Sequence, residues 1–198
     1  MRMRQFDYSS QGAYFVTIVT NNRLNLFGRV EDEEMKQNEA GTMVAKEYEA
    51  LEQLFEGMGC LDYVVMPNHF HCLIYLDKDK GITLPEIIAH FKSVTTHKYI
   101  LGVKANGWQR FDQKLWQRNY WDDIIFNGLQ FEMVQRYIYL NPSRWNKDAI
   151  NDDHDPDVDH VAGVEVHGDA PGEAGAGDAE VFKARLDEVV HHLVDPGA

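Results

Sequence analysis

The sequence predicts an α+β fold, a ferredoxin-like antiparallel sheet with helices packed on one side. Three observations carry the prediction. Segments rich in β-branched and aromatic residues interleave with amphipathic segments in the order β, α, β, β, α, β, α. Two of the β-prone runs are neighbours, flanking Pro67 and Asn68. The chain has 198 residues, 44% hydrophobic and 12% aromatic, enough for one domain with a substantial core.

The first element is AYFVTIVTN, residues 13–21, a central-strand candidate that follows the turn-like SSQG. From Glu31 to Phe55 the apolar positions Met35, Met43, Val44, Leu51, Leu54 and Phe55 fall at loosely helical spacing, which predicts a helix interrupted near Gly41 and ended by Gly57 and Gly59. LDYVVMPNHFHCLIYL, residues 61–76, predicts strand, kink and strand, or one bent element. Residues 84–101 place Pro85 in a first turn and Ile87, Ile88, Phe91, Val94 and Ile100 near helical periodicity. LWQRNYWDDII, residues 115–125, predicts another strand, and Asn127 or Gly128 then opens a helix that ends at Asn141 before Pro142.

Charge divides the chain. The formal net charge is −13, of which residues 1–145 carry −2 and the remaining 53 residues −11. The body, residues 1–145, is therefore near neutral and able to present a basic groove, because phosphate binding depends on local Lys and Arg clusters. Residues 146–178 are dominated by Asp, Gly, Ala and His and predict an acidic, disordered linker. Residues 179–198 predict an amphipathic helix with Phe182, Leu186, Val189, Val190 and Leu193 on one face, suited to docking on the body or on another protein. Cys60 and Cys72 are the only cysteines and are not in a zinc or redox spacing, which fits a reducing compartment. No apolar run approaches a membrane span, and MRMRQFDYSSQG has no signal-peptide core, so the expected location is cytoplasmic.

Two constellations could carry chemistry. His69 and His71 flank Phe70 in a β-prone run, and residues two apart on a strand share a face, so the two imidazoles converge as potential ligands of a divalent metal. Taken alone, the pair is better read as two histidines packed or hydrogen-bonded within a sheet. Tyr137 and Asn141, four apart on the last helix, share a face that Tyr139 does not. A phenol there can act as a nucleophile and the amide oxygen as a neutral ligand, although a tyrosine-rich helix ending in Asn-Pro is also ordinary core.

Together these motifs resemble one family. The apolar run ending in PNHFH, followed by YIYLNP on a helix, is similar to the HUH transposases with one catalytic tyrosine. YFVTIVTNNR with the following LF, and WQRNYWDDII, resemble the REP-associated tyrosine transposase branch, and the likeness spans residues 6–145. The resemblance implies that His69, His71 and Asn141 hold a divalent ion, Mg²⁺ or Mn²⁺. It implies that Tyr137 attacks a DNA phosphodiester, forming a 5′-phosphotyrosine and a free 3′-hydroxyl, and that rejoining reverses the attack. The expected partner is single-stranded or hairpin DNA, and the expected location becomes nucleoid-associated. Relatives act as monomers or homodimers, and both remain open here.

Lys92, Lys98, Lys104, Arg110, Lys114 and Arg118 are candidates for phosphate contacts, and Trp108, Trp116 and Tyr120 for base stacking. Tyr120 is the rival nucleophile, disfavoured by its strand position and by the lack of an Asn four residues on. Two other functions compete: a noncatalytic DNA- or RNA-binding domain, and a metal hydrolase that uses water and makes Tyr137 dispensable.

Overall fold

The computed structural model describes residues 12–77 and 80–151. Strand β1, Gly12–Val19, is followed by a hairpin of β2, Gly28–Glu31, and β3, Glu34–Gln37. Helix α1, Glu39–Glu49, and the short α2, Leu51–Leu54, lead to β4, Met58–Val65, and β5, His69–Leu76. Helix α3, Leu84–Asn106, strand β6, Trp121–Ile125, and helix α4, Gly128–Leu140, complete the body, and a 3-10 helix, Pro142–Lys147, continues from α4.

The main sheet has the order β4-β5-β1-β6 with every pair antiparallel. With α1 and α3 as crossovers this is the ferredoxin-like arrangement expected. Each strand face has its own core. On one face Tyr14, Val16 and Ile18 of β1 join Phe70, Cys72 and Ile74 of β5 against Val44 and Tyr48 of α1 and Ile87, Ile88 and Phe91 of α3. On the other, Ala13, Leu73 and Ile125 meet Val134 and Ile138 of α4. Thus α1 and α3 lie on one side, as expected, and α4 adds a layer on the second. β5 is covered on both faces and flanked by strands, so all eight of its residues are buried, His69 and His71 included.

Local chemistry sets the ends. The Asn38 side chain accepts from the Gly41 amide and opens α1, and Asn127 accepts from the Gln130 amide at the start of α4. The Glu86 carboxylate accepts from both the amide and the hydroxyl of Thr83 at the start of α3. The Met66–Asn68 loop makes β4 and β5 a hairpin, closed by Met66 N–H donating to the His69 carbonyl at 2.8 Å. This resolves the strand-kink-strand reading as two paired strands.

Two sequence expectations fail. The strand expected over 115–125 covers only Trp121–Ile125, so Tyr120 lies in the loop before it. Glu31–Asn38 is not helical: β2 and β3 pair through a turn in which Asp32 and Glu33 adopt φ of 50° and 64°. Two residues in the left-handed region form the tight hairpin turn usually signalled by Asn-Gly or Asp-Gly, and neither glycine nor asparagine is present. The helix-prone Glu, Met, Lys and Gln of this stretch mask it. Gly41, read as an interruption, lies in the first turn of α1, where a Cβ would stand 2.3 Å from the Phe27 carbonyl oxygen.

Candidate active site

The site forms on the sheet face that carries α4. Register aligns its parts: Thr17 of β1 stands opposite His71 on one side and Trp121 on the other, and Val19 stands opposite His69. Helix α4 crosses this face, held through Val134 and Ile138 and by Gln135 Nε2 donating to Asp62 at 2.6 Å. Tyr137 and Asn141 are thereby brought to the histidines, and Tyr139 is left 82% exposed. Tyr137 Oη lies 3.4 Å from His71 Nε2, and the two rings meet edge-on with centroids 5.2 Å apart.

The histidines are held from behind. Asn68 Nδ2 donates to the Arg23 carbonyl at 3.2 Å and to the Ile150 carbonyl at 3.0 Å. Its Oδ1 is therefore the acceptor for His69, so the proton sits on His69 Nδ1 across a 2.9 Å bond and Nε2 presents a lone pair. Thr17 Oγ1 lies 2.8 Å from His71 Nδ1 and fixes that ring from the neighbouring strand, while Phe15 stacks on it at 5.3 Å. Burial pushes the His69 imidazole down to about 4, with Asp148 and Asn141 pulling the other way; burial and then His69 hold His71 well below its ordinary value. Both rings are neutral at pH 7 and fit for ligation.

A fourth participant comes from beyond the motifs. Asp148 Oδ2 lies 3.7 Å from His69 Nε2, and its side chain is only 9% exposed. Oδ1 of the same carboxylate accepts from the Ile150 amide at 2.8 Å, which aims the other oxygen inward. The turn is pinned by the Asn68 bond, by Arg23 donating to the Ala149 carbonyl at 3.1 Å, and by Asn151 Nδ2 donating to the Trp145 carbonyl at 3.1 Å. Ligand atoms of His69, His71 and Asp148 all lie within 4.8 Å of one another. Among the described residues, His69 Nε2 of this group and Asn141 Oδ1 from the end of α4 are buried with no hydrogen-bond partner. Two neutral imidazoles, a carboxylate and an amide oxygen form a donor set that fits a divalent cation of the Mg²⁺ or Mn²⁺ kind, and two buried polar atoms with unused lone pairs accord with such a site.

The surroundings of Tyr137 favour its protonated form. Burial first, and the Asp148 charge second, raise its phenol to about 12, opposed by Asn141 and Arg144. A cation bound beside it would reverse the Asp148 effect.

Sequence reasoning missed Asp148, Asn68 and Thr17. Asp148 stands in the stretch read as linker, although the chain stays packed through Asn151, which is buried. The rest of the 146–178 linker and the 179–198 helix lie outside the described residues.

Of the nucleic-acid contacts expected, Trp116 is corrected and three others are engaged within the protein. Trp116 is buried between Phe27 and Phe91 and donates to Thr95 Oγ1 at 2.9 Å, so it cannot stack on a base. Trp108 packs on Gly102 and Tyr99 and donates to Glu39 at 2.9 Å. Lys92 donates to the carbonyls of Gln117, Arg118 and Asn119 and lies 5.5 Å over the Tyr120 ring, a structural clamp on the loop before β6. Lys98 is paired with Glu47. Lys104, Arg110, Lys114 and Arg118 are exposed. Tyr120 packs with the core under α3, on the sheet face opposite the histidines. No helix among the described residues is long and apolar enough to cross a membrane.

Comparison with known proteins agrees with this geometry. The family model described as "Transposase IS200 like" matches residues 8–141. An uncharacterized protein of Haemophilus influenzae is 29% identical over 163 residues, covering 76% of this chain and 91% of its own. The solved structure of a REP-associated tyrosine transposase bound to a REP hairpin superposes with a TM-score of 0.52 at 20% identity, covering 73% of this chain and 74% of that one. At that identity the likeness is one of fold.

Proposed function

This chain belongs to the IS200-like transposase family, and from that premise we propose that it is a metal-dependent endonuclease and strand transferase for single-stranded DNA, acting beside hairpin or palindromic elements. The observation that carries the proposal is the placement of the Tyr137 hydroxyl 3.4 Å from His71 Nε2, at the edge of the His69, His71 and Asp148 cluster. His69, His71 and Asn141 would hold the ion, with Asp148 as the anionic partner. When bound, the ion supplies positive charge that polarises a phosphate and favours the phenolate.

Tyr137 then attacks the phosphorus, its oxygen forming the new P–O bond as the bond to the 3′ oxygen breaks. The phenol proton leaves to water, the leaving 3′ oxygen takes up a proton, and the DNA remains joined through a 5′-phosphotyrosine. Attack by another 3′-hydroxyl reverses the step without an external energy source. Phe15, edge-on to Tyr137 at 5.8 Å and stacked on His71, keeps the two rings in register. The solved relative bound to a REP hairpin supports hairpin DNA as the substrate class.

The test mixes 5′- and 3′-labelled single-stranded hairpin DNA with wild-type and Tyr137→Phe protein, with and without Mg²⁺ or Mn²⁺. A metal-dependent protein adduct on the fragment with the new 5′ end, absent in Tyr137→Phe, is the expected result. Cleavage by Tyr137→Phe would mean that water is the nucleophile. Tight binding without cleavage across varied hairpins would leave a noncatalytic DNA-binding protein.

A further inference from the structure

Tyr137 and His71 themselves line a cavity of about 300 Å³ that extends past them to Trp121 and Asp123, which the chemistry above does not use. It is built on the same sheet face, one strand further on. β6 is the sheet's edge strand, and its Trp121 and Asp123 stand opposite Thr17 and Phe15 of β1. From β5 to β6 is two strand spacings, about 10 Å, so the cavity's outer wall stands roughly one nucleotide away from a phosphate held at His71 and Tyr137. Its volume sits at the low end of the roughly 300–1,000 Å³ of small-ligand sites, room for one flat heterocycle and not for a base pair.

The lining suits such a ring. Phe15, Val134 and Ile150 contribute apolar walls. The Trp121 indole is 50% exposed at this wall, an aromatic plane half in water on an edge strand. Asp123, on the same face of β6 and exposed, lines the cavity too. A carboxylate only accepts hydrogen bonds. It therefore favours the exocyclic amine of cytosine, adenine or guanine over thymine, whose single N3–H donor is flanked by two carbonyl oxygens that repel the carboxylate.

We propose that this cavity is a nucleobase site for the nucleotide adjoining the scissile phosphate, in which Trp121 stacks on the base and Asp123 selects an amino-bearing base over thymine. The proposal rests on the reading of the protein as a single-strand DNA enzyme, but it is tested by binding alone. Fluorescence anisotropy would measure the affinity of the full chain for short single strands of deoxycytidine, of thymidine and of abasic nucleotides, in the wild type, Asp123→Asn and Trp121→Ala, with thermal unfolding as the folding control.

The expected result is a cytidine-to-thymidine affinity ratio that falls at least fivefold in Asp123→Asn, because an amide both donates and accepts. Removing the negative charge strengthens binding of every strand alike and leaves that ratio untouched. Trp121→Ala should weaken base-bearing strands by roughly tenfold, the loss of one stacked base, with little change for the abasic strand. An unchanged ratio in Asp123→Asn with native unfolding behaviour, or equal losses for abasic and base-bearing strands in Trp121→Ala, overturns the proposal. A ratio that depends on Asp123 in a protein that forms no adduct would keep the base site and remove the catalytic reading; an adduct with no such dependence would do the reverse.

Discussion

Asn68 shows how much of this candidate site is decided by one side chain that the motifs do not include. Its amide donates twice to backbone carbonyls, of Arg23 and Ile150, and its oxygen accepts a hydrogen bond from His69 Nδ1. That choice turns the His69 lone pair toward Asp148 and ties β5 to the turn carrying Asp148. Groups that orient a ligand in this way typically govern metal affinity by 10- to 100-fold. Asn68→Ala is accordingly expected to weaken Mn²⁺ binding by about that factor with the fold retained, read by titration calorimetry; native affinity in the variant would deny Asn68 this role. His69, His71, Tyr137 and Asn141 were legible because strand and helix periods place residues two and four apart on one face. Thr17 was not, since it meets His71 only through the β1–β5 register, and Asp148 was hidden among the many acidic residues that follow Trp145.

At the scale of elements, the site joins two unequal supports: the histidines lie in a strand covered on both sides, whereas Tyr137 and Asn141 ride on a helix packed by a small core. Its first turn is closed by Asn127, whose side chain accepts from the Gln130 amide at 2.9 Å. Removing such a cap costs about 1 kcal/mol. Asn127→Ala should lower the denaturant midpoint accordingly and weaken Mn²⁺ binding through the displaced Asn141, whereas an unchanged midpoint would show that α4 is held by Val134 and Ile138 alone. The strand and helix order was readable because burial imposes period on sequence, and α3 and α4 carry clear start signals in Pro85 and Asn127. The β2–β3 hairpin was not readable. Its turn uses Asp32 and Glu33 at positive φ where glycine or asparagine normally advertises the conformation, and its strands are short and largely exposed, so neither turn chemistry nor alternation betrays them.

For the whole molecule the decisive asymmetry is electrostatic. Residues 152–198 carry two basic and 13 acidic side chains, whereas residues 1–151 are close to neutral. A net charge of −11 in the sequence that follows the turn would repel a phosphate backbone that came within a Debye length of it, about 10 Å at 0.1 M salt. The packed structure extends past Trp145 to Asn151 at least, because Asp148 lies beside the histidines and Asn151 is buried against the turn. Ending the chain after Asn151 is therefore expected to keep native Mn²⁺ affinity and to bind single-stranded DNA severalfold more tightly than the full chain at low ionic strength. The gap should close as salt rises, because screening removes the tail's repulsion. Ending it after Trp145 should abolish Mn²⁺ binding in the same assay. Equal DNA affinities for the full and Asn151-ended chains across a salt series would show that the acidic segment stays clear of the DNA path, and its charge would then have to be explained by another partner.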